Sequence, residues 1–342
     1  MKETSADRRK LEELDSNTLA SLQLDALNQL FAKILPANQF YTEKFAGLRH
    51  PLESLDDLKS LPTTTKSELL GVDDDFARNR TYSLDAYTRF HRTSGTHGRP
   101  MIVVDTSDDW QWWIETWQYV LDAAEITTAD RVLMAFSFGP FIGFWSANDA
   151  LAARQSMVIP AGGLSSLARL ELMRSSRATA ICCTPSYALH LSEVAKSNDI
   201  DLSTLQVSRI IVAGEPGGSI PSIRQRIEDR WAARVVDHSG ATEIGPWGYA
   251  NADGTGLHIA ETDFIAEFES VATKGPAEAG ELSELIITTL GRVGSPLVRY
   301  RTGDLVRPHW KSTGNRFVFL EGGVLGRADD MLVIRGVNVF PS

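Results

Sequence analysis

Cysteine is almost absent from this 342-residue chain: Cys182 and Cys183 are the only two, and they are adjacent. Neighbouring cysteines in an apolar run build neither a disulfide framework nor paired CxxC metal spacing, so a reducing compartment is expected and a structural zinc is not. They read as small buried hydrophobes. Positive charge is in deficit, with Lys+Arg 34 against Asp+Glu 44 and a formal net charge of −10. That balance disfavours a surface built for a phosphate backbone, so no nucleic-acid partner is expected. No apolar run approaches the roughly twenty residues that span a bilayer, and the opening MKETSADRRKLEELD lacks a signal-peptide core. A soluble, cytoplasmic protein without a membrane partner is the expectation, large enough for one compound domain or two to three lobes.

From Ser5 to Leu35 apolar residues recur at mostly helical spacing, with a break near Ser16. Thr63 to Thr65 offer hydroxyl caps before a short helix near Lys66. A strand near Arg89, a glycine-rich loop and a strand at Met101 to Val104 then form a hairpin-like unit. From Asp108 a helix carries Trp110, Trp113 and Trp117 on one stripe, which reads as core packing. Short apolar runs at Arg131, Ala178, Ile210 and Val235 alternate with helical stretches, the pattern of a largely parallel sheet with helices on its faces. After about Ala260 the chain reads as strands and turns with almost no helix, a smaller antiparallel barrel or sheet.

Four motifs carry chemistry. In RTSGTHGRP, Arg92 to Pro100, glycines let backbone N–H groups converge on an anion and Thr93, Ser94 and Thr96 add hydroxyl donors. A phosphate cradle and a tight hairpin turn would use the same residues. SGATEIG, Ser239 to Gly245, follows a strand, so Thr242 and Glu243 fall where open α/β sheets bind ligands. Glu243 suits Mg²⁺, a hard cation that prefers oxygen; the same pair would also cap a helix. In RYRTGD, Asp304 follows a turn glycine and can accept two hydrogen bonds from a vicinal diol such as ribose. GRADDMLVIRG begins at Gly326.

Taken in this order, with AGEPGG at Ala213 to Gly218, the motifs resemble the AMP-forming adenylate superfamily of acyl-CoA synthetases, peptide-synthetase adenylation domains and luciferases. IRGVNVFPS, AGEP and LESLDDLKSLPTTTKSELL are similar to its phenylacetate-CoA ligase branch, and the resemblance covers about Leu52 to Ser342. It implies the α/β fold of the large N-terminal domain of these ligases: a core over 1–258 with mostly parallel sheets flanked by helices, a β-rich lobe over 259–325 and a hinge segment over 326–342. It implies ATP, Mg²⁺ and coenzyme A as cofactors and a carboxylic acid as substrate. Transfer to a carrier protein, or a non-catalytic nucleotide- and acid-binding module, are the alternatives. Ser94, Gly95, Thr96, His97 and Gly98 would embrace the ATP phosphates. Gly214, Glu215 and Pro216 would line the adenine, mainly through backbone. Thr242 would bond the α-phosphate, Glu243 would hold Mg²⁺, Asp304 would bind the ribose and Arg327 would lie near it. Asp329 would be the hinge of a following domain that bears the catalytic lysine, and Gly336 would line the pantetheine tunnel. With that domain expected beyond Ser342, residues 1–342 would bind ATP or acyl-AMP but turn over poorly.

Three positions depart from the family pattern. Met101 follows Pro100 where lysine is common, His97 stands where threonine is usual, and Ser239 replaces a tyrosine that packs on adenine. Stacking on the base would then be weaker or taken over by His238. For the acid, the resemblance implies a pocket formed by Phe136, Phe138 and Phe141 of FSFGPFIGF on one side, with Gly240, Ala241, Ile244, Gly245 and Pro246 opposite. Three phenylalanines would enclose an aromatic ring; they would equally well pack the sheet.

Overall fold

The computed structural model describes residues 4–70, 76–93, 99–311, 313–330, 332–334 and 337–339, Asp330 and the last six without their side chains. The chain enters through helices Ser5–Glu12 and Ser16–Ile34. They are divided where the Asp15 carboxylate accepts the N–H groups of Asn17 and Thr18, donors that helix geometry leaves without partners. This is the break read near Ser16. Leu27, Leu30, Phe31 and Ile34 lie at helical spacing on one face and are buried against Tyr41, Phe45, Leu58 and Val298.

Strands β1 (Tyr87–Arg92) and β2 (Ile102–Thr106) form the antiparallel hairpin around the glycine-rich loop. Helix Ser107–Ala123 follows at once, because Thr106 Oγ1 accepts the Asp109 N–H and the Asp109 carboxylate accepts the Thr106 N–H. Trp110, Trp113 and Trp117 are buried in the main core as the stripe requires, and Trp112 is buried beside them with its indole N–H donated to Asp263 Oδ1 at 2.8 Å.

Strands β3 (Arg131–Met134), β4 (Met157–Pro160), β5 (Ala180–Cys183), β6 (Arg209–Val212) and β7 (Arg234–Ala241) are joined by helices Trp145–Ala153, Ser166–Ser176, Pro185–Ser197 and Pro221–Trp231. These strands run parallel in the order β7-β6-β5-β3-β4; the apolar runs of β3, β5, β6 and β7 are buried on both faces, while β4 forms the more exposed edge. Cys182 and Cys183 sit in β5 with both thiols buried. The sheet then turns antiparallel through β8 (Gly245–Ala250) and β9 (Gly256–Ile259). Strands β10 (Phe264–Ser270), β11 (Ser283–Thr289) and β12 (Tyr300–Val306) form a second sheet, while β13 (Pro308–His309) and β14 (Phe319–Glu321) return to the first. Strand β15 (Gly326–Arg327) closes on β12. The result is a nine-stranded mixed sheet and a four-stranded antiparallel sheet in the order β10-β11-β12-β15. The β-rich stretch after Ala260 is thus shared between two sheets. The carboxyl ends of β3, β6 and β7 carry the motif loops, and β12 and β15 of the smaller sheet bring Asp304 and Arg327 to the same place.

Among the described residues, no helix is long and apolar enough to cross a membrane.

Candidate active site

Thr242 and Glu243 occupy the turn between β7 and β8, which is closed by the Ile244 N–H on the Ala241 carbonyl at 3.1 Å. Glu243 Oε1 accepts the Tyr300 hydroxyl at 3.0 Å, and its second oxygen accepts no hydrogen bond among the described residues. Further along β12, Asp304 stands opposite Arg327 of β15, with Arg327 Nη1 donating to Asp304 Oδ1 at 3.0 Å. The other Arg327 terminal nitrogen lies 3.5 Å from Asp329 Oδ2, in the turn Ala328–Asp330. Gly303 between them has φ +76°, and a Cβ there would stand 2.8 Å from Arg327 Nη2. Glycine lets the guanidinium lie over the strand.

Burial pushes the Asp304 carboxyl up to about 6; the Arg327 guanidinium works against this and the Glu243 carboxylate adds to it. Burial and the same Glu243 carboxylate push the Tyr300 hydroxyl well above its ordinary range, so it donates and stays protonated. The structure therefore brings Glu243, Asp304 and Arg327 together across a sequence separation of 84 residues. Tyr300 belongs with them. Its place inside RYRTGD was the available signal, but nothing in the sequence alone said which way its ring turns.

The loop after β6 exposes Gly214, Glu215 and Pro216. Glu215 Oε1 accepts the Ser186 N–H at 2.6 Å, so this side chain caps helix Pro185–Ser197 and leaves the loop backbone to face outward. Gly214, at φ +92°, makes the turn. Beneath the loop lies a residue that sequence reading missed. The buried Asp237 carboxyl accepts the Ser219 hydroxyl at 2.5 Å and the His238 N–H at 3.0 Å, and burial pushes it up to about 6. A Cβ on Gly218 would come within 2.4 Å of Asp237 Oδ1, which explains the glycine.

His238 requires a correction. Its ring packs on Trp117 with centroids 4.3 Å apart, and Nδ1 is 2.7 Å from the Gly248 carbonyl oxygen. A carbonyl only accepts, so Nδ1 carries the proton, and burial lowers the imidazole to about 4 and keeps it neutral. A ring buried against Trp117 presents no open face for stacking on a base. Ser239 is opposite Gly248 in the β7–β8 register.

Ser94, Gly95, Thr96, His97 and Gly98 lie outside the described residues, as does Gly336. The base of the loop is clamped: the Thr93 N–H donates to the Met101 carbonyl and the Met101 N–H to Thr93 Oγ1, both at 3.0 Å. Met101 is itself buried. The Arg92 N–H donates to the Pro140 carbonyl at 2.6 Å and ties this hairpin to the phenylalanine-rich segment. There the Phe136 ring meets Phe138, Phe141 and Phe144 edge-on, at centroid distances of 5.8, 5.7 and 5.6 Å. Phe141 is 40% exposed, whereas Phe144 is sealed in the core. Gly143, at φ +41°, has no room for a side chain, because a Cβ would fall 1.7 Å from the Phe136 ring. In the β7–β8 turn, a Cβ on Gly240 would meet the Gly245 carbonyl at 2.8 Å. Ala241 is half-buried, Gly245 and Pro246 are buried, and Ile244 belongs to the main core.

For a cation, the donor set is small. Among the described residues, no group of three or more His, Cys, Asp or Glu side chains could hold a metal by itself. Glu243, with one oxygen still unbonded, fits a Mg²⁺ ion that shares its remaining ligands with phosphate and water, the usual arrangement for this metal.

A largely parallel sheet with a Thr-Glu turn at the end of β7, joined by a smaller antiparallel sheet that brings Asp304 and Arg327 to Glu243, is the architecture of an adenylate-forming ligase domain. The chain belongs to the AMP-binding enzyme family, whose model matches residues 56–270. Its homologues include phenylacetate-coenzyme A ligases. The Escherichia coli (strain K12) enzyme is 32% identical over 97% of this chain and 76% of its own length, and the Thermus thermophilus enzyme is 30% identical over 97% and 76%. Among solved structures, a 2-hydroxyisobutyryl-CoA ligase in an open conformation with 2-HIB-AMP and CoA superposes with a TM-score of 0.89 at 24% identity, covering 99% of this chain and 82% of that one. ATP-bound MatB from Rhodopseudomonas palustris gives 0.60 at 18% identity over 80% and 55%. The fold is that of the adenylate-forming ligase N-terminal domain.

Proposed function

We propose that this chain binds ATP with Mg²⁺ and a carboxylic acid, aromatic by preference, and serves an acyl-CoA ligase reaction through an acyl-AMP intermediate. The observation that carries the reading is the convergence of Glu243, Tyr300, Asp304 and Arg327 at the turn between β7 and β8.

In the first step a carboxylate oxygen attacks the α-phosphorus, the α–β phosphoanhydride bond breaks, and pyrophosphate leaves with the bonding pair. Asp304 accepts hydrogen bonds from the ribose hydroxyls. Arg327, beside it, offsets phosphate charge, and the Thr242 hydroxyl donates to an α-phosphate oxygen. Held by Glu243, Mg²⁺ would supply charge neutralisation at the phosphates. The backbone of Gly214, Glu215 and Pro216 borders the adenine, and the loop of residues 94–98 borders the β- and γ-phosphates. In the second step a thiol sulfur, that of coenzyme A, attacks the acyl carbon and AMP departs. Asp329, exposed beside Arg327, is the proposed pivot between the two steps, and Gly336 the proposed wall of the thiol tunnel.

Phe136, Phe138 and Phe141 support an aromatic acid, since edge-on rings continue their pattern by receiving a further ring. Calorimetric titration of benzoates, aminobenzoates, arylacetates and short aliphatic acids into the chain saturated with AMP tests this. Aromatic acids are expected to bind and aliphatic acids to bind weakly. Preference for aliphatic acids alone would overturn the substrate class, and AMP-independent binding of every acid would overturn the shared site.

A further inference from the structure

The buried Arg292–Asp105 pair joins parts of the molecule that the proposed chemistry uses. Arg292, in the loop between β11 and β12, is fully buried, as is Asp105 on β2. Arg292 Nε donates to Asp105 Oδ1 at 2.7 Å, and Nη2 lies 2.6 Å from the same oxygen without the alignment of a second hydrogen bond. Trp113 Nε1 donates to that oxygen at 3.3 Å, and the guanidinium stands 5.6 Å from the Trp113 ring centroid. The remaining terminal nitrogen, Nη1, donates to the main-chain carbonyl of Glu243.

A desolvated ion pair is a poor way to gain stability, because apolar residues of the same volume do as well or better. What it supplies here is direction. Strand β2 begins one residue beyond Met101, the clamp of the glycine-rich loop, so Asp105 is rigidly connected to that hairpin. The loop that carries Arg292 is fastened to the same part of the fold by the Gly294 N–H on Asp109 Oδ1 at 2.9 Å and by the Ser295 hydroxyl on the Val104 carbonyl at 2.5 Å. Arg292 thus has one end on the hairpin and the other on the backbone of residue 243. Tyr300 holds the Glu243 side chain through its hydroxyl.

We infer that Arg292, oriented by Asp105, is a positioning residue that fixes the Glu243 backbone against strand β2 and so sets the direction in which the Glu243 carboxylate presents a cation to the nucleotide phosphates. This rests on the reading of Glu243 as the cation ligand. Lysine keeps the charge but presents a single point donor instead of a fork, so it cannot reach both partners in the same geometry.

The test compares wild type with Arg292→Lys and the near-isosteric Asp105→Asn, measuring ATP affinity by calorimetry across a Mg²⁺ series and in EDTA. Circular dichroism and thermal melting identify folded variants. The expected result is a five- to tenfold higher Mg²⁺ concentration for half-maximal ATP binding in either folded variant, with ATP affinity in EDTA unchanged. Wild-type Mg²⁺ dependence in a folded variant would overturn the positioning role alone, as would equal losses with and without Mg²⁺. Wild-type ATP binding that ignores Mg²⁺ would overturn the reading of Glu243 and this inference with it.

Discussion

The hydroxyl of Tyr300 donates to Glu243 Oε1 at 3.0 Å, joining the first strand position of RYRTGD to the last charged residue of SGATE. The contact spends one Glu243 oxygen on the protein and leaves the other for a ligand. Tyr300→Phe is expected to raise the Mg²⁺ requirement for ATP binding several-fold while costing about 1 kcal/mol of stability, the scale of one hydrogen bond. Calorimetry and a denaturant titration measure the two effects separately. An unchanged Mg²⁺ requirement would remove Tyr300 from the site.

Asp304 should give nucleotide binding a pH dependence. Ribose hydroxyls need the ionised carboxylate as acceptor, and burial has pushed this group up to about 6, against Arg327 and with help from Glu243 and Glu284. Protonation therefore competes with binding below that value, and affinity should fall by about tenfold for each unit below the pKa. Above it, affinity should level off. Asp304→Asn is expected to bind more weakly at pH 8 and to show a flat profile between pH 5 and 8. A wild-type profile without a break near 6 would contradict this role.

Gly143→Ala tests the aromatic wall. The added Cβ would fall 1.7 Å from the Phe136 ring at a positive φ, so Phe136 must move and the backbone is strained. Overpacking of this kind costs about 1–3 kcal/mol. The expected outcome is a lower melting temperature and at least tenfold weaker acid binding, with AMP affinity retained. Retained acid affinity would mean that Phe136 only packs the sheet.

Gly218→Ala tests the adenine loop from below. Its Cβ would meet Asp237 Oδ1 at 2.4 Å and Val212 Cγ2 at 2.6 Å. Asp237 also accepts from Ser219 and from the His238 backbone, so its displacement should unsettle the loop that Gly214 begins. Weaker AMP binding with acid binding unchanged is expected. Equal losses in both would indicate a general packing defect.

The sequence made legible whatever is local. The short apolar runs that became β5, β6 and β7 declared buried parallel strands, and Asp304, Glu243 and Arg327 each sat in a recognisable motif. It did not show pairings across long separations. Asp105 and Arg292 are 187 residues apart, and within IVVDT an aspartate reads as an ordinary solvent-facing strand position. Nor did it show which side of β7 faces the core. His238 and Ser239 alternate, and only the packing of Trp117 against His238 decides that the imidazole turns inward. The return of β13 and β14 to the large sheet escaped for another reason: strands of two and three residues are too short to carry a period.

The central claim is that one site holds a nucleotide and an acid side by side, and a stable aryl acyl-sulfamoyl adenosine joins the two in the geometry of acyl-AMP. Its affinity for residues 1–342 should exceed that of AMP and of the free acid by at least about a hundredfold, because the second contact becomes intramolecular. Asp304→Ala and Gly143→Ala should each erode that gain. An affinity no better than that of AMP alone would contradict the account.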